Sequence, residues 1–307
     1  MNVQGPDTHT GIKKYISLTR PHTLTASFVP VLVGTFSVLL FGPIRWDMFI
    51  AMLVATLLIQ SATNMFNEYF DYKRGLDTRD SVGIAGAIVR NGMSPRSVFN
   101  IAVIFYIIAA AIGLYIAFNS SLWILVIGVV SMAVGYFYTG GPVPISWTPF
   151  GEIFAGLFMG TVIIMITFFI HTGTLHYFPL LMSIPVAITI GLLNMANNIR
   201  DRKKDQESGR KTFVILVGKP VAVLTSAALL AFCYVFLIWI ALFESFGSVF
   251  LLLPLLSAPL AFKTVVKWKN GDTPVELIPA MASMGKLNTM FGLLLSIGLL
   301  IYGITGI

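Results

Sequence analysis

Nine predominantly apolar stretches, each near the roughly 20 residues that a helix needs to cross a bilayer, divide this 307-residue chain. They run approximately over 25–43, 48–69, 97–117, 121–139, 149–170, 177–199, 220–243, 247–262 and 287–306. Such runs leave little choice of architecture. The expected fold class is all-α: a polytopic membrane protein of nine transmembrane helices, in two pseudo-repeated halves of four with one extra helix. The expectation is a single integral-membrane domain over residues 1–307, in which 1–15 form a polar tail. Charged residues make up only 11% of the chain, against about a quarter in a soluble domain. The start, Met1 to Lys14, has no short apolar segment followed by a cleavage site, so the first run reads as a retained span. Cys233 lies alone inside an apolar run and is expected to be a small buried hydrophobe.

Lys and Arg favour cytoplasmic loops. With the N-terminus inside, 19 of the 20 cations fall in the tail or in the loops after the second, sixth and eighth runs, and only Arg45 lies outside. This sorting places the N-terminus and the long polar loops in the cytoplasm and the C-terminus outside, in a cell membrane. It also accounts for the net charge of +7 without a nucleic-acid partner. Nothing in the sequence calls for an obligate protein partner.

Two of those runs end in the same grammar. Asn64, Asn67, Asp71 and Asp77 recur as Asn194, Asn197, Asp201 and Glu207, at a constant offset of 130 residues. Lys73 and Arg74 recur as Lys203 and Lys204. Asn at i and i+3 with Asp at i+7 lies on one helix face. By the charge sorting, both faces end on the cytoplasmic side. Gly83, Gly86 and Gly92 mark the loop after the first of them as rich in turns.

Carboxylate and amide oxygens at this spacing suit Mg²⁺, which takes a few protein oxygens together with water and phosphate. Asp71 and Asp201 are the first candidates, helped by Asn67, by Asn197 or Asn198, and by Asp205; Asp77 lies further along. Acids alone suggest a cation site, whereas acids interleaved with Lys73, Arg74, Arg200 and Lys211 suggest a metal–diphosphate complex. Carboxylates at a membrane edge are costly and tend to be functional. Arg79, Arg90 and Arg96 read as loop or headgroup contacts, and His171 and His176 as surface histidines of an outer loop. Arg20 and His22, in Thr19-Arg20-Pro21-His22-Thr23, open the first run and either anchor it or reach a cytoplasmic cavity. Tyr136 and Tyr138, in Tyr136-Phe137-Tyr138-Thr139-Gly140-Gly141-Pro142, belong to an aromatic belt, or shield a cation or stack on an aromatic substrate. No Walker-type glycine loop, HExxH, CxxC or GxSxG pattern competes.

These residues resemble the UbiA superfamily of intramembrane prenyltransferases, and more narrowly its 1,4-dihydroxy-2-naphthoate polyprenyltransferase branch of menaquinone synthesis. The resemblance rests on Thr19–Thr23, Asn67-Glu68-Tyr69-Phe70-Asp71 with Asp77, Gly86–Arg90, Tyr138–Pro142, Asn197–Asp201 with Asp205, and Gly209-Arg210-Lys211-Thr212. Glu68 departs from it, standing where the superfamily usually has Asp, so a direct metal role is not carried over to that position. The resemblance implies nine helices around a central cavity open to lipid, and Mg²⁺-dependent transfer of a polyprenyl group from its diphosphate to dihydroxynaphthoate with loss of CO₂. Asp71 and Asp201 would then be catalytic with Tyr138 and Arg20, and Asn67, Lys73, Arg74, Arg200, Lys211, His22 and Tyr136 would bind substrate. Another acceptor (4-hydroxybenzoate, haem or glycerophosphate) is the alternative within this class. A secondary transporter with duplicated halves is the alternative outside it.

Overall fold

In a computed structural model, residues 11–79, 81 and 86–306 are described. They are all-helical, with no strand among the described residues. The chain runs through α1 (Ile12–Leu18), a 3₁₀ turn (Pro21–Thr23), α2 (Thr25–Val38), α3 (Trp46–Lys73), α4 (Pro95–Asn119) and α5 (Trp123–Phe137). A second part holds α6 (Gly151–Ala155), a π segment (Gly156–Val162), α7 (Ile163–Thr172), α8 (Tyr177–Glu207), α9 (Phe213–Val217) and α10 (Lys219–Phe243). A 3₁₀ stretch (Val249–Ser257) leads into α11 (Ala258–Asn270), and α12 (Pro274–Thr305) closes the chain.

Among the described residues, seven helical stretches are long and apolar enough to cross a membrane, and two shorter apolar helices, Thr25–Val38 and Trp123–Phe137, stand at the first and fourth expected runs. Helix is the natural answer to hydrocarbon, because it pairs every backbone N–H and C=O within its own segment. Hydropathy placed the crossings better than their ends. The eighth run starts as 3₁₀ helix and continues to Asn270, so Lys263, Lys267 and Lys269 lie on α11 rather than in a loop. Lys286 likewise sits inside α12, whose 32 residues span roughly 48 Å at 1.5 Å per residue, well beyond the hydrocarbon core. His171 ends α7 with its ring Nδ1 2.7 Å from the Thr167 carbonyl. His176 caps α8, its Nδ1 accepting from the Phe178 N–H. His171 thus lies on a helix rather than in a loop, whereas His176 stands in the connection just before α8, as expected.

Small residues bring the helices together, as is usual where lipid offers no hydrophobic drive. A Cβ on Gly34 would lie 2.7 Å from the Ile164 carbonyl oxygen, so α2 and α7 meet backbone to backbone. Gly156 and Gly160 seat the π segment against Ala187 of α8. On α12, Gly292 meets Val29, Gly298 the Phe250 carbonyl and Gly303 Leu39. Around these contacts a core forms from Val29, Val33, Ile164, Val186, Cys233, Leu237, Phe291 and Leu295, with Cys233 buried as expected. A separate core of Met65, Phe66, Val98 and Ala102 joins α3 to α4. In the result α3 and α8, which carry the two polar motifs, both line one interior space.

Candidate active site

Both motif helices run on past their apolar stretch, α3 to Lys73 and α8 to Glu207, so the acids sit on the last turns. There the motifs meet through a cation outside both. Arg210, just beyond α8, places one guanidinium nitrogen 3.0 Å from Asp71 Oδ1 and another 3.2 Å from Asp205 Oδ1. A second tie runs from α8 to the first loop: Lys204 Nζ donates to Ser81 Oγ at 2.8 Å and lies 3.9 Å from Asp77 Oδ1. Contacts spanning 139 and 123 residues of sequence thus make one polar site from two repeats.

Trp147, in the segment between α5 and α6, supports this arrangement. The guanidiniums of Arg74 and Arg210 lie 5.4 and 5.7 Å from its ring centroid, within cation–π range. Its carbonyl accepts the Lys211 N–H at 2.8 Å. Arg74 also donates to the carbonyls of Thr139 and Gly141, and the Thr139 hydroxyl donates to Asn67 Oδ1 at 2.6 Å. The Tyr-Thr-Gly-Gly-Pro run is therefore clamped to the end of α3, with Gly141 at φ 77° making its turn.

The expected residues divide into three groups. Asp71, Asp77, Asp201 and Asp205 lie on or just past the two helix ends, with Asn67 and Asn197 one turn inward. Arg74 and Arg200 are committed to protein partners: Arg200 is buried and forks onto both carboxylate oxygens of its neighbour Asp201. Lys73 and Lys211 are exposed at the rim, Lys73 over the Tyr69 ring. The side chain of His22 and residue Gly83 lie outside the described residues. Sequence reasoning missed Arg210, Lys204 and Trp147. Arg210 stood in the quoted Gly209–Thr212 run beside Lys211, and a sequence does not say which of two adjacent cations turns inward.

Glu68 is fully buried and paired with protein groups. Its Oε2 lies 3.3 Å from Arg20 and its Oε1 accepts the Ile88 N–H at 3.4 Å. Arg20 adopts a left-handed backbone, φ 51°, which costs a non-glycine residue about 1–2 kcal/mol. Asn64 holds that turn by donating to the Thr19 carbonyl and the Thr23 hydroxyl.

Below the acids lies a cavity of about 450 Å³. Arg20, Asn64, Asn67, Tyr138, Asn194 and Asn197 line its polar end, and α3 to α8 supply apolar walls such as Ile59, Leu125, Phe158 and Ile163. The two tyrosines separate here. Tyr138 lines the cavity, whereas Tyr136 packs edge-on against Phe66 and Phe70. The buried Nε of Arg20 has no partner.

The donor set around the acids is oxygen throughout, the choice of Mg²⁺, and Asp77 Oδ2 is a buried acceptor without a partner that a hard cation would satisfy. No three His, Cys, Asp or Glu side chains are already gathered at ligating distance among the described residues. The ligand set is thus split between the motifs, to be completed by amide, water and phosphate oxygens. Burial, followed by the charge of Asp71, pushes the Asp77 carboxyl up to about 7, although Arg20 opposes it. A carboxyl raised in the folded state contributes stability below its unfolded pKa near 3.9 that is lost as pH climbs through about 7. The thermal midpoint of the metal-free protein should therefore fall between about pH 4 and about pH 7, and Asp77→Asn should flatten that fall. An unchanged pH slope in the variant would remove Asp77 as its source.

A sequence profile of the UbiA prenyltransferase family matches residues 27–304. The chain is 49% identical to the 1,4-dihydroxy-2-naphthoate octaprenyltransferase of Bacillus subtilis, over 92% of this chain and 91% of that protein. It is 28% identical to the Mycobacterium tuberculosis protein of the same name, over 89% of this chain and 91% of that one. Among solved structures, a UbiA homolog from Aeropyrum pernix superposes with a TM-score of 0.69 at 16% identity, covering 90% of this chain and 97% of that one. A UbiA homolog from Archaeoglobus fulgidus bound to DMAPP and Mg²⁺ superposes with a TM-score of 0.63 at 15% identity, covering 92% and 99%.

Proposed function

Because the chain belongs to the UbiA prenyltransferase family, we propose that it transfers a polyprenyl group from polyprenyl diphosphate to 1,4-dihydroxy-2-naphthoate, releasing diphosphate and CO₂ and giving a demethylmenaquinol. The observation that carries this reading is Arg210 joining Asp71 to Asp205, which sets both motifs over one cavity with a polar mouth and an apolar body. The 49% identity to the Bacillus subtilis enzyme favours dihydroxynaphthoate over other acceptors.

In this reading the diphosphate lies between the ends of α3 and α8. Asp71, Asp77, Asp201 and Asp205, with Asn67 and Asn197, hold Mg²⁺, which when bound neutralises the diphosphate and stabilises charge on its departing oxygens. Arg210 and Lys204 are the cations that link the two motif ends, and Lys73 and Lys211 add positive charge at the rim. Arg74 and Arg200 act by holding the Thr139–Gly141 loop and Asp201 in place. As the carbon–oxygen bond to diphosphate breaks, the allylic cation faces Tyr138, and the apolar walls keep water from capturing it. The ring carbon that bears the carboxylate attacks, and its bond to the carboxylate then breaks, returning the electron pair to the ring as CO₂ leaves. Arg20, whose Nε is unpaired at the polar end, binds the acceptor's carboxylate or hydroxyl.

The finer architecture belongs to the same proposal. The chain forms one integral-membrane unit with nine crossings, the short α2 and α5 among them, built as two related halves plus α12. It resides in the cell membrane, with the N-terminus and both motif loops cytoplasmic and the C-terminus outside. A panel of acceptors tests the function: purified protein with Mg²⁺ and a polyprenyl diphosphate should prenylate dihydroxynaphthoate in preference to 4-hydroxybenzoate, haem and glycerophosphate. Prenylation of another acceptor but not of dihydroxynaphthoate would overturn the assignment.

A further inference from the structure

Glycine inside a helix costs about 1 kcal/mol relative to alanine, and membrane helices usually recover that by close backbone approach. The helical glycines of this chain mostly follow the rule. Gly34, Gly156, Gly160, Gly292, Gly298 and Gly303 each sit where an added Cβ would lie under 3.0 Å from a neighbouring element. Gly113 of α4 and Gly128 of α5 do not. A Cβ at either would meet nothing within 4 Å, and both residues line the 450 Å³ cavity. They hold no helices together; what they preserve is empty space in a cavity that Phe154 and Phe158 also line.

That space is built for a ligand. Ser27, 1% exposed, lines the same cavity, and its hydroxyl has no partner. An unsatisfied hydroxyl in an apolar interior is costly, and an unfilled cavity forfeits dispersion contacts along its walls. Ser37, Thr56, Ser226 and Ser296 bond the carbonyl four residues back; Thr35, Ser131 and Thr167 share the unpartnered state of Ser27, and of these Ser131 of α5 lines the same cavity. The Ser27 side chain and the two bare glycine positions therefore mark a volume that is filled in the loaded protein.

We propose that Gly113 and Gly128 determine how long an isoprenoid chain the protein accepts, by keeping the α4–α5 wall open to the distal isoprene units. The inference rests on the prenyl-transfer reading and adds to it the residues that select among donors. Side chains at these positions project into the cavity without displacing any helix, so they shorten the accepted chain while leaving the chemistry at the Asp71 end untouched.

The test compares wild type, Gly113→Leu, Gly128→Leu and the milder Gly128→Ala with geranyl, farnesyl and octaprenyl diphosphates, measuring kcat/KM with Mg²⁺ and dihydroxynaphthoate. Ala111→Leu, at an exposed position of α4, is the control. One methylene more or less in an apolar pocket is worth roughly 10–200-fold. Each leucine variant should thus lose at least about tenfold on octaprenyl diphosphate while holding geranyl diphosphate near the wild-type value. Gly128→Ala should shift the same way by less, and the control not at all. Unreactive thio-analogues of the three donors, used as competitors, should show the same selective loss in binding. An unchanged length profile, or an equal loss on every donor including geranyl, overturns the proposal. A wild type that transfers none of the three overturns the prenyl-transfer reading and this inference with it.

Discussion

Asp71→Asn is expected to lower prenyl transfer by about 10²–10³-fold, the range seen when one electrostatic contact to developing charge is removed. Asn keeps the shape of the side chain and removes its charge, so the loss isolates electrostatics. In the metal-free protein the fold should tolerate it, because Arg210 retains Asp205 at 3.2 Å. Asp201→Asn should cost as much activity and behave differently in stability. Arg200 is 5% exposed and forks onto Asp201, so that substitution leaves a buried guanidinium without its counter-charge. Kinetics with thermal unfolding separates the two: equal losses of turnover, with a lower melting temperature for Asp201→Asn alone. Normal turnover in both variants would mean that the diphosphate site lies elsewhere.

Glu68→Ala should be the most destabilising single change near the site. Removing one member of a buried ion pair costs about 3–5 kcal/mol, since the remaining charge stays desolvated. The Arg20 side chain is 18% exposed against 2% for Glu68, which puts the expected cost at the lower end, about 3 kcal/mol. Two further effects point the same way. The Ile88 N–H loses its acceptor, and Arg20 loses the contact that helps hold its left-handed backbone. Arg20→Ala combined with Glu68→Ala should recover part of the loss, and a double-mutant cycle would read the coupling directly. Glu68→Asp, the family's usual residue here, should fall between wild type and Glu68→Ala, because the shorter side chain cannot reach both Arg20 and Ile88 as easily. A melting temperature within a degree or so of wild type for Glu68→Ala would show that the pair contributes nothing.

The constant offset between Asn64–Asp77 and Asn194–Glu207 made both halves of the site readable, because helical period fixes which residues share a face. Glu68 is spent on Arg20 and the Ile88 N–H, partners that no sequence pattern names. What stayed hidden depends on loops and rotamers. Lys211 and Arg210 are adjacent and equally basic, and only the turn after α8 sends Arg210 to Asp71 while Lys211 stays exposed. Arg74 and Arg200 looked like diphosphate ligands by charge alone; loop carbonyls and a neighbouring carboxylate claim them instead. Tyr136 and Tyr138 are two residues apart, far enough round a helix end to face different surroundings. Trp147 carried no signal, since its role depends on two guanidiniums arriving from distant segments. Hydropathy could not foresee that the eighth run begins as 3₁₀ helix, nor that α12 starts well before its apolar part.

The central claim is that the two motifs form one Mg²⁺–diphosphate site serving a decarboxylating prenyl transfer. The most direct measurement follows label released as CO₂ from carboxyl-labelled dihydroxynaphthoate by the purified protein with a polyprenyl diphosphate, first with Mg²⁺, then with a chelator, then with Mg²⁺ restored. Release should match prenylated product, stop on chelation and return with the metal. Product formation that continues undiminished after chelation, or prenylation that leaves the label on the ring, would contradict the central claim.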